Sequence, residues 1–547
     1  MHKPFQWQNP YPTSRIPVFG RNIVSTSHPY AAQAGLKILH EGGNAIDAAI
    51  AAAAAITICE PVSCGLGSDA FAIVWDGHSL HGLNASGHSA QAWSPEYFAG
   101  KYGVDENGLA KRPKRGWDSV TVPGAIAGWE ALHQKFGALP WHQVLAPAIE
   151  IAARGYAVPP VVAYKWAAAI PELKDQAGFA DCFMPLGRAP HVGERFTMPS
   201  AAKTLERLAL HGAKDYYQGQ IAEQICHAAK EHGAALSLGD LASYRPDWVT
   251  PISKNYRGYD VHEIPPNGQG IAALIALGIL EHFDIGNIPV DSSLSQHLQI
   301  EAMKLAFSDL YAHVADPSSM QYRTEDFLDP DYLRARAKLI DPDHAMPSPQ
   351  TGIPRLGGTI YLSTADESGR MVSFIQSNYM GFGSGVVVPG TGISLQNRGF
   401  AFSSDPRSAN VVAGRKRPFH TIIPGFLTKT VAGHVQPVMS FGVMGADMQP
   451  QGHLQTLVRM LDYQQQPQAA CDAPRWKVNR DYTLDVESNM NAQTVNELIK
   501  KGHQLKRVDD PYMDFGAGQF IWRLSNELED GYVAASDSRR DGHAASY

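Results

Sequence analysis

Cysteine is scarce in this chain: five among 547 residues, at positions 59, 64, 182, 226 and 471, with no Cys-x-x-Cys pair. A disulfide scaffold or a zinc ribbon is thereby excluded, and a reducing, cytoplasmic setting is expected. Long apolar runs are missing as well. No stretch of about 18 strongly apolar, uncharged residues occurs, so no membrane helix is expected. The opening Met1-His-Lys-Pro-Phe-Gln-Trp-Gln-Asn-Pro-Tyr-Pro12 lacks the apolar core of a secretory signal. Positive charge is not in excess either. Lys and Arg number 46 against 53 Asp and Glu, a net charge of −7, which argues against a nucleic-acid surface.

Several chemistries are absent by motif. The 22 histidines look dispersed and form no His-Glu-x-x-His, so no metal is expected. Ser384 lies in Gly381-Phe-Gly-Ser-Gly385, the wrong spacing for a nucleophile elbow. Neither a Walker nor a Rossmann fingerprint occurs, so no nucleotide cofactor is expected. What is there is ordinary for a globular protein, 44% hydrophobic and 18% charged residues.

Elements read from the chain begin with a strand at Ile23–Ser27, a helix at His28–Glu41 and an alanine-rich helix from Asn44 to Glu60. Glycine-rich Pro61–Asp69 reads as a close-packed turn into a strand at Ala70–Trp75, with another at Leu80–Ala85. Helical patterns follow across Val120–Pro160, Ala201–Leu210, Gln218–His232, Gly268–His282 and His297–Val314. Later, His420–Pro424 and Val438–Gly442 read as strands, and Met444–His453 as a loop before a helix at Leu454–Leu461. Helices dominate early and strands late, which a layered α/β (α+β) body with antiparallel strands accommodates.

One stretch organises the rest. Thr359–Asp366 and Met371–Ser377 read as two strands joined by Glu367-Ser-Gly-Arg370. If Asp366 faces Arg370, the register sets Ser377 opposite Thr359, and two hydroxyls meet at the open end of a hairpin. Before them, Ala345–Gly358 is rich in Pro and Gly and reads as an exposed loop ending in Gly357-Gly358. The Thr359 hydroxyl attacking the unhindered Gly358 carbonyl is expected to cut the chain there. Thr359 would then own a free α-amino group, whose pKa of roughly 7.7–8.0 suits it as the base a threonine nucleophile needs. The alternative is an ordinary junction of loop and strand.

Ordered matches carry a resemblance. They include Gly42-Gly-Asn-Ala-Ile-Asp-Ala-Ala49, Pro123-Gly-Ala-Ile-Ala-Gly128, Leu139-Pro-Trp141 and Pro265-Pro-Asn-Gly-Gln-Gly270. Glu301-Ala-Met-Lys-Leu-Ala-Phe307, Gly383-Ser-Gly385, Lys416-Arg-Pro418 and Ser536-Asp-Ser-Arg-Arg-Asp-Gly542 continue the series. From about Ile23 onward the chain resembles the γ-glutamyltranspeptidase family of N-terminal nucleophile hydrolases. The resemblance implies an αββα four-layer sandwich and self-cleavage between Gly358 and Thr359. Residues 1–358 would form a large subunit and 359–547 a small one, intertwined as a heterodimer; a dimer of such heterodimers stays open. Thr359 would be the nucleophile and Ser377 its supporting hydroxyl. The Gly445 and Ala446 N–H groups would form the oxyanion hole, where backbone donors tolerate alanine for glycine.

Departures from the family pattern bear on substrate. The arginine that grips a glutamyl α-carboxylate aligns with Ser86, and the aspartate that grips the α-amino group aligns with Ala401. Two carboxylate-binding serines align with His420 and Thr421, and a glutamine with Arg398. A zwitterionic head needs both charges met, because an unpaired buried charge is expensive. Arg398, His420 and Thr421 are therefore expected to bind a small amide bearing a carboxylate and no amino group. A structural ion pair or a surface charge for Arg398, and a hydrogen-bonded strand histidine for His420, are the alternatives. The subgroup the chain looks most like includes oxamate amidohydrolase, which releases oxalate and ammonia in purine-ring (allantoin) breakdown. Other readings are a γ-glutamyl (glutathione) hydrolase or transpeptidase, a glutaryl-type acylase, or an unprocessed, inactive binding relative.

Replacing Thr359 by alanine separates these. Thr359→Ala is expected to leave one 59.4 kDa band on a denaturing gel and no turnover. Cleavage retained at that position would contradict the assigned nucleophile.

Overall fold

Period-two alternation sorts the strand side chains into layers. In Asp69–Trp75, Phe71, Ile73 and Trp75 join one apolar cluster, and Ala70, Ala72 and Val74 join another. The first cluster lies between two sheets, where Tyr361, Ile375, Ile422, Phe426, Met444 and Ile521 meet it. The second lies under helices. The computed structural model describes residues 15–346, 358–509 and 515–547, so the loop read before Thr359 falls, from 347 to 357, outside the described residues.

Each sheet has seven antiparallel strands. One runs His543–Ser546, Ile23–Thr26, Gly358–Ala365, Met371–Tyr379, Asp69–Trp75, Leu80–Ala85 and Asp247–Val249. The other runs Val18–Gly20, Tyr532–Ser536, Ala517–Arg523, His434–Met444, Gly425–Val431, Tyr259–Glu263 and Ile252–Tyr256. Both sheets take strands from either side of the Gly358–Thr359 bond. Helices cover the two outer faces, giving the αββα sandwich expected.

Over the first sheet lies the helix Ala45–Cys59, every residue of which is buried. Alanine lets it approach the strands closely. Its N-terminus is fixed by a capping box: Asn44 accepts from the Ile46 and Asp47 N–H groups at 2.9 and 3.0 Å, and Asp47 accepts from the Asn44 N–H at 3.1 Å. The Ala45 N–H donates to Asp366 Oδ2 at 2.9 Å, tying the helix to the hairpin turn. Over the second sheet pack Gly270–Leu280, Ser293–His313 and Met448–Leu457.

Three local expectations are corrected. Ile360–Ala365 pairs with Met371–Gln376 in the expected register, but Gly358 pairs with Tyr379, so Thr359 faces both Ser377 and Asn378 across a bulge. His420–Pro424 is no ladder strand; His420 makes a single bridge to Gly268, and the strand begins at Gly425. The helix read from Leu454 starts at Met448 instead, with Pro450 in its first turn, where a missing N–H does no harm.

The sheets approach closely at Gly442, where a Cβ would come within 2.4 Å of the Tyr361 ring. Tyr361 is itself pinned by the Ser363 and Ser373 hydroxyls at 2.9 and 2.7 Å. Gly442→Val should therefore destabilise by about 1–3 kcal/mol through overpacking. A lowered midpoint in thermal unfolding is the expected result, and an unchanged one would contradict the close approach.

Candidate active site

Thr359 stands near the start of an inner strand and is 3% exposed. Its Oγ1 lies 3.2 Å from Ser377 Oγ, and Ser377 Oγ accepts the Tyr379 N–H at 2.7 Å. Tyr379 itself takes a left-handed backbone (φ 76°). A second neighbour went unread in the sequence. Gln449 Nε2 donates to Thr359 Oγ1 at 3.5 Å, while Gln449 Oε1 accepts the Ile423 N–H at 2.9 Å. That backbone donor fixes which end of the amide faces the threonine. The signal was present: Pro450 marks a first helical turn, which would have put Gln449 at a helix start rather than in a loop.

The strand His434–Met444 ends at the predicted oxyanion pair. Gly445 has φ 121° and Ala446 φ 51°, both in the left-handed half of the map. Two such residues in succession take both N–H groups out of the ladder. Among the described residues neither donates a hydrogen bond, so both are available to a developing oxyanion. At Ala446 the alanine bears a backbone strain of roughly 1 kcal/mol that glycine would not. Gln269 Nε2 bridges the Thr421 and Ala446 carbonyls at 2.6 and 2.8 Å, holding this turn against the next segment.

Arg398 is fully buried. Its Nη1 donates to Thr421 Oγ1 at 2.9 Å, and the guanidinium lies 4.1 Å from the Tyr379 ring centroid. Nε and Nη2 have no hydrogen-bond partner among the described residues. Burial pulls the guanidinium down to about 10, against the fields of Tyr379, Asp69 and Asp447, and it stays a cation at neutral pH. Thr421 thus supports Arg398 directly.

His420 is also wholly buried, and both ring nitrogens are engaged within the protein. Nδ1 accepts the Ile422 N–H at 3.4 Å, so Nε2 carries the proton and donates to Asp69 Oδ2 at 3.2 Å. Burial, then the cations Arg398 and Arg417, hold its pKa far below the usual imidazole range. Asp69 was another residue not singled out, although an aspartate opening the apolar run Ala70–Trp75 is unusual. Its Oδ1 accepts the Gly87 and Gly124 N–H groups at 3.1 and 3.2 Å. Ser86 donates to Asn84 Oδ1 at 2.7 Å, and Ala401 is a buried apolar residue whose carbonyl accepts from Asn410.

Residue types able to hold a metal do gather elsewhere, contrary to the dispersed reading: His297, Glu301 and His503, all buried. The two histidines satisfy each other, and Glu301 is paired with a lysine. His297 Nε2–H donates to the Asp341 carbonyl at 2.7 Å, which leaves Nδ1 to accept from His503 Nε2 at 2.8 Å. Lys304 Nζ supplies the cation, 2.8 Å from Glu301 Oε1 and 3.4 Å from His503 Nδ1. Two nitrogens on one tetrahedral zinc would lie about 3.3 Å apart, wider than this pair. Among the described residues no helix is long and apolar enough to cross a membrane.

A family model described as gamma-glutamyltranspeptidase matches residues 31–547. The glutathione hydrolase-like YwrD proenzyme of Bacillus subtilis is 34% identical over 535 residues, covering 96% of this chain and 98% of that protein. The oxamate amidohydrolase proenzyme of Klebsiella pneumoniae is 34% identical over 533 residues, covering 95% and 97%. Among solved structures, a cephalosporin acylase from Bacillus halodurans superposes with a TM-score of 0.92 at 46% identity, covering 100% of this chain and 99% of that one.

The hydroxyl at position 377 can be tested alone. Ser377→Ala should slow both chain cleavage and turnover roughly ten- to a hundredfold, the value of a hydrogen bond to a charged oxygen. Ser377→Thr, which keeps the hydroxyl, should restore most of both. Equal rates for the two variants would show that the contact has no role.

Proposed function

The chain belongs to the gamma-glutamyltranspeptidase family, whose hydrolases act on amide bonds and are made as proenzymes, and from that premise we propose a self-processing amidohydrolase for small amides that bear a carboxylate. Oxamate, cleaved to oxalate and ammonia, is the leading substrate. The observation that carries this reading is Arg398, a fully buried guanidinium with two unpartnered nitrogens beside the nucleophile's strand pair. A buried cation left so is costly, and a planar carboxylate is the group its fork accepts best.

In this mechanism the Thr359 hydroxyl first attacks the Gly358 carbonyl, and hydrolysis of the resulting ester frees the Thr359 amine. Residues 1–358 and 359–547 then remain together as a heterodimer, since each sheet needs strands from both. With substrate bound, Arg398 and Thr421 hold the carboxylate. The Thr359 hydroxyl attacks the amide carbon while its own amine takes the proton. The Gly445 and Ala446 N–H groups stabilise the oxyanion, ammonia leaves, and water hydrolyses the acyl-enzyme. Ser377 and Gln449 hold the nucleophile's oxygen in place. His420, with both nitrogens engaged, supports Asp69 and the wall of the site rather than the substrate. Five free cysteines, three of them buried, accord with a cytoplasmic enzyme.

A second reading, a glutaryl-type acylase, is favoured by the 46% identity to the Bacillus halodurans cephalosporin acylase. It also presents a carboxylate to Arg398. A γ-glutamyl substrate fits less well, because Ser86 and Ala401 offer neither of the charges its zwitterionic head requires.

Three rates on the processed protein decide the matter: ammonia from oxamate, and p-nitroaniline from glutaryl and γ-glutamyl anilides. Oxamate or the glutaryl anilide should be turned over well and the γ-glutamyl anilide poorly; turnover of the γ-glutamyl anilide alone rejects the reading. Arg398→Met should raise KM for the preferred substrate about ten- to a hundredfold, the value of a charge-assisted hydrogen bond. An unchanged KM would remove Arg398 from the pocket.

A further inference from the structure

Arg398 has no carboxylate paired with it among the described residues, yet the buried site is not left with an unanswered charge. Asp69, wholly buried, is one of the two carboxylates whose field acts on that guanidinium, and the fold links Asp69 to Arg398: Asp69 Oδ2 accepts from His420 Nε2 at 3.2 Å, and the next residue, Thr421, accepts from Arg398 Nη1 at 2.9 Å. The other, Asp447, is already paired with Arg480 at 2.9 Å. Arg417, the second cation that Asp69 feels, is paired with Asp247 and also donates to the Ser86 carbonyl at 3.2 Å. Asp69 is therefore the carboxylate left to balance Arg398 while the site is empty. Once a substrate carboxylate docks, two anions share one cation among buried side chains, which favours neutralising one of them.

We infer that Asp69 sets the site's selectivity for anions by charge exchange: an anionic acyl group docking on Arg398 is accompanied by one proton from water onto the Asp69 carboxylate. This rests on the carboxylate reading of Arg398 given above. The formal count balances. Before binding, Arg398 and Asp69 are +1 and −1; afterwards Arg398 and the ligand are, and Asp69 is neutral. The proton takes the one lone pair of Oδ2 that the His420 Nε2–H leaves free, because Oδ1 already accepts the Gly87 and Gly124 N–H groups. It does not stay on His420, whose imidazolium form is opposed by burial and by Arg398 and Arg417.

The remaining titratable groups around Asp69 do not compete for this role. The Tyr216, Tyr217 and Tyr244 hydroxyls feel its charge and are pushed up by burial, so they stay protonated. Burial raises the Asp69 carboxyl to about 7 despite Arg398 and the two backbone donors, which leaves it poised to change state near neutral pH. A group whose pKa is raised on folding stabilises the folded chain below its unfolded value, and that contribution is lost as pH rises through about 7. Ligand affinity follows the same sign: strongest where Asp69 is already neutral, weaker as it ionises. Asp69 acts through Arg398, as a positioning residue that touches no reacting atom.

The test uses the processed enzyme and the product anions oxalate and glutarate as probes. Calorimetric titration at about pH 7.5 in phosphate and in Tris, whose ionisation heats differ, counts protons taken up per anion bound. Wild type should take up a substantial fraction of one proton, and Asp69→Asn none. In kinetics, KM should rise at least about fivefold from about pH 6.5 to about pH 8.5. Over the same range kcat should rise as the Thr359 amine loses its proton. Asp69→Asn should flatten the KM profile and leave the kcat profile in place, a split that mere loss of packing would not produce. Should Asp69→Asn fail to fold, Asp69→Ser takes its place in both measurements, because the Thr359 amine can also take up a proton in the wild type. Anion binding without proton uptake overturns this inference and leaves the carboxylate reading standing; no binding of either anion at any pH overturns both.

Discussion

A bulge in an inner strand pair governs what Thr359 can touch. With regular pairing as far as Ile360 and Gln376 and a shift to Gly358 and Tyr379, one residue on the first strand faces two on the second. Thr359 thereby meets the Ser377 hydroxyl while Tyr379, in its left-handed conformation, donates back to the same oxygen. The strands are held to this geometry from both faces. The alanine-rich helix closes the outer side and anchors the turn through Asp366, and Gly442 admits the Tyr361 ring on the inner side. Sequence choices far from Thr359, alanines at 48, 49 and 51–55 and a glycine at 442, are thus conditions for one oxygen–oxygen contact.

The second constraint is electrostatic. Buried charge is costly unless it is answered, and several charges around this site have an identified counterpart. Asp447 has Arg480, Arg417 has Asp247, and His420 is neutral with both nitrogens used. Arg398 has two open donors and no carboxylate paired with it among the described residues, whereas Arg417, with Nη2 open, does have its carboxylate. The acyl group proposed for this chain rests on this one guanidinium and on the carboxylate proposed to answer it.

Much of the frame was legible in the sequence because periodic patterns and helix caps are local. The helix opened by Asn44 and Asp47, the strands at Ile23 and Leu80, and the hairpin register from Ile360 to Ala365 all follow from nearby residues. What escaped depends on distant partners. The bulge at Thr359 is set by packing, not by a turn residue. Asp69 reads as part of a glycine-rich turn until Gly87, Gly124 and His420, far along the chain, converge on its carboxylate. His297 and His503 lie more than 200 positions apart and meet only in the fold. His420–Pro424 carries a strand-like composition, yet Pro424 and the contacts to Asn267 and Gly268 break the ladder there. Gln449 was hidden by reading a first-turn proline as a loop residue.

The account turns on a threonine that becomes both nucleophile and base by cutting the peptide bond before it. Mass-spectrometric determination of the first residue of the smaller fragment, on protein purified without protease exposure, tests this most directly. The fragment is predicted to begin at Thr359 with a free amine and to extend to Tyr547. A fragment beginning at any other residue, or an intact chain that still hydrolyses its amide substrate, would contradict it.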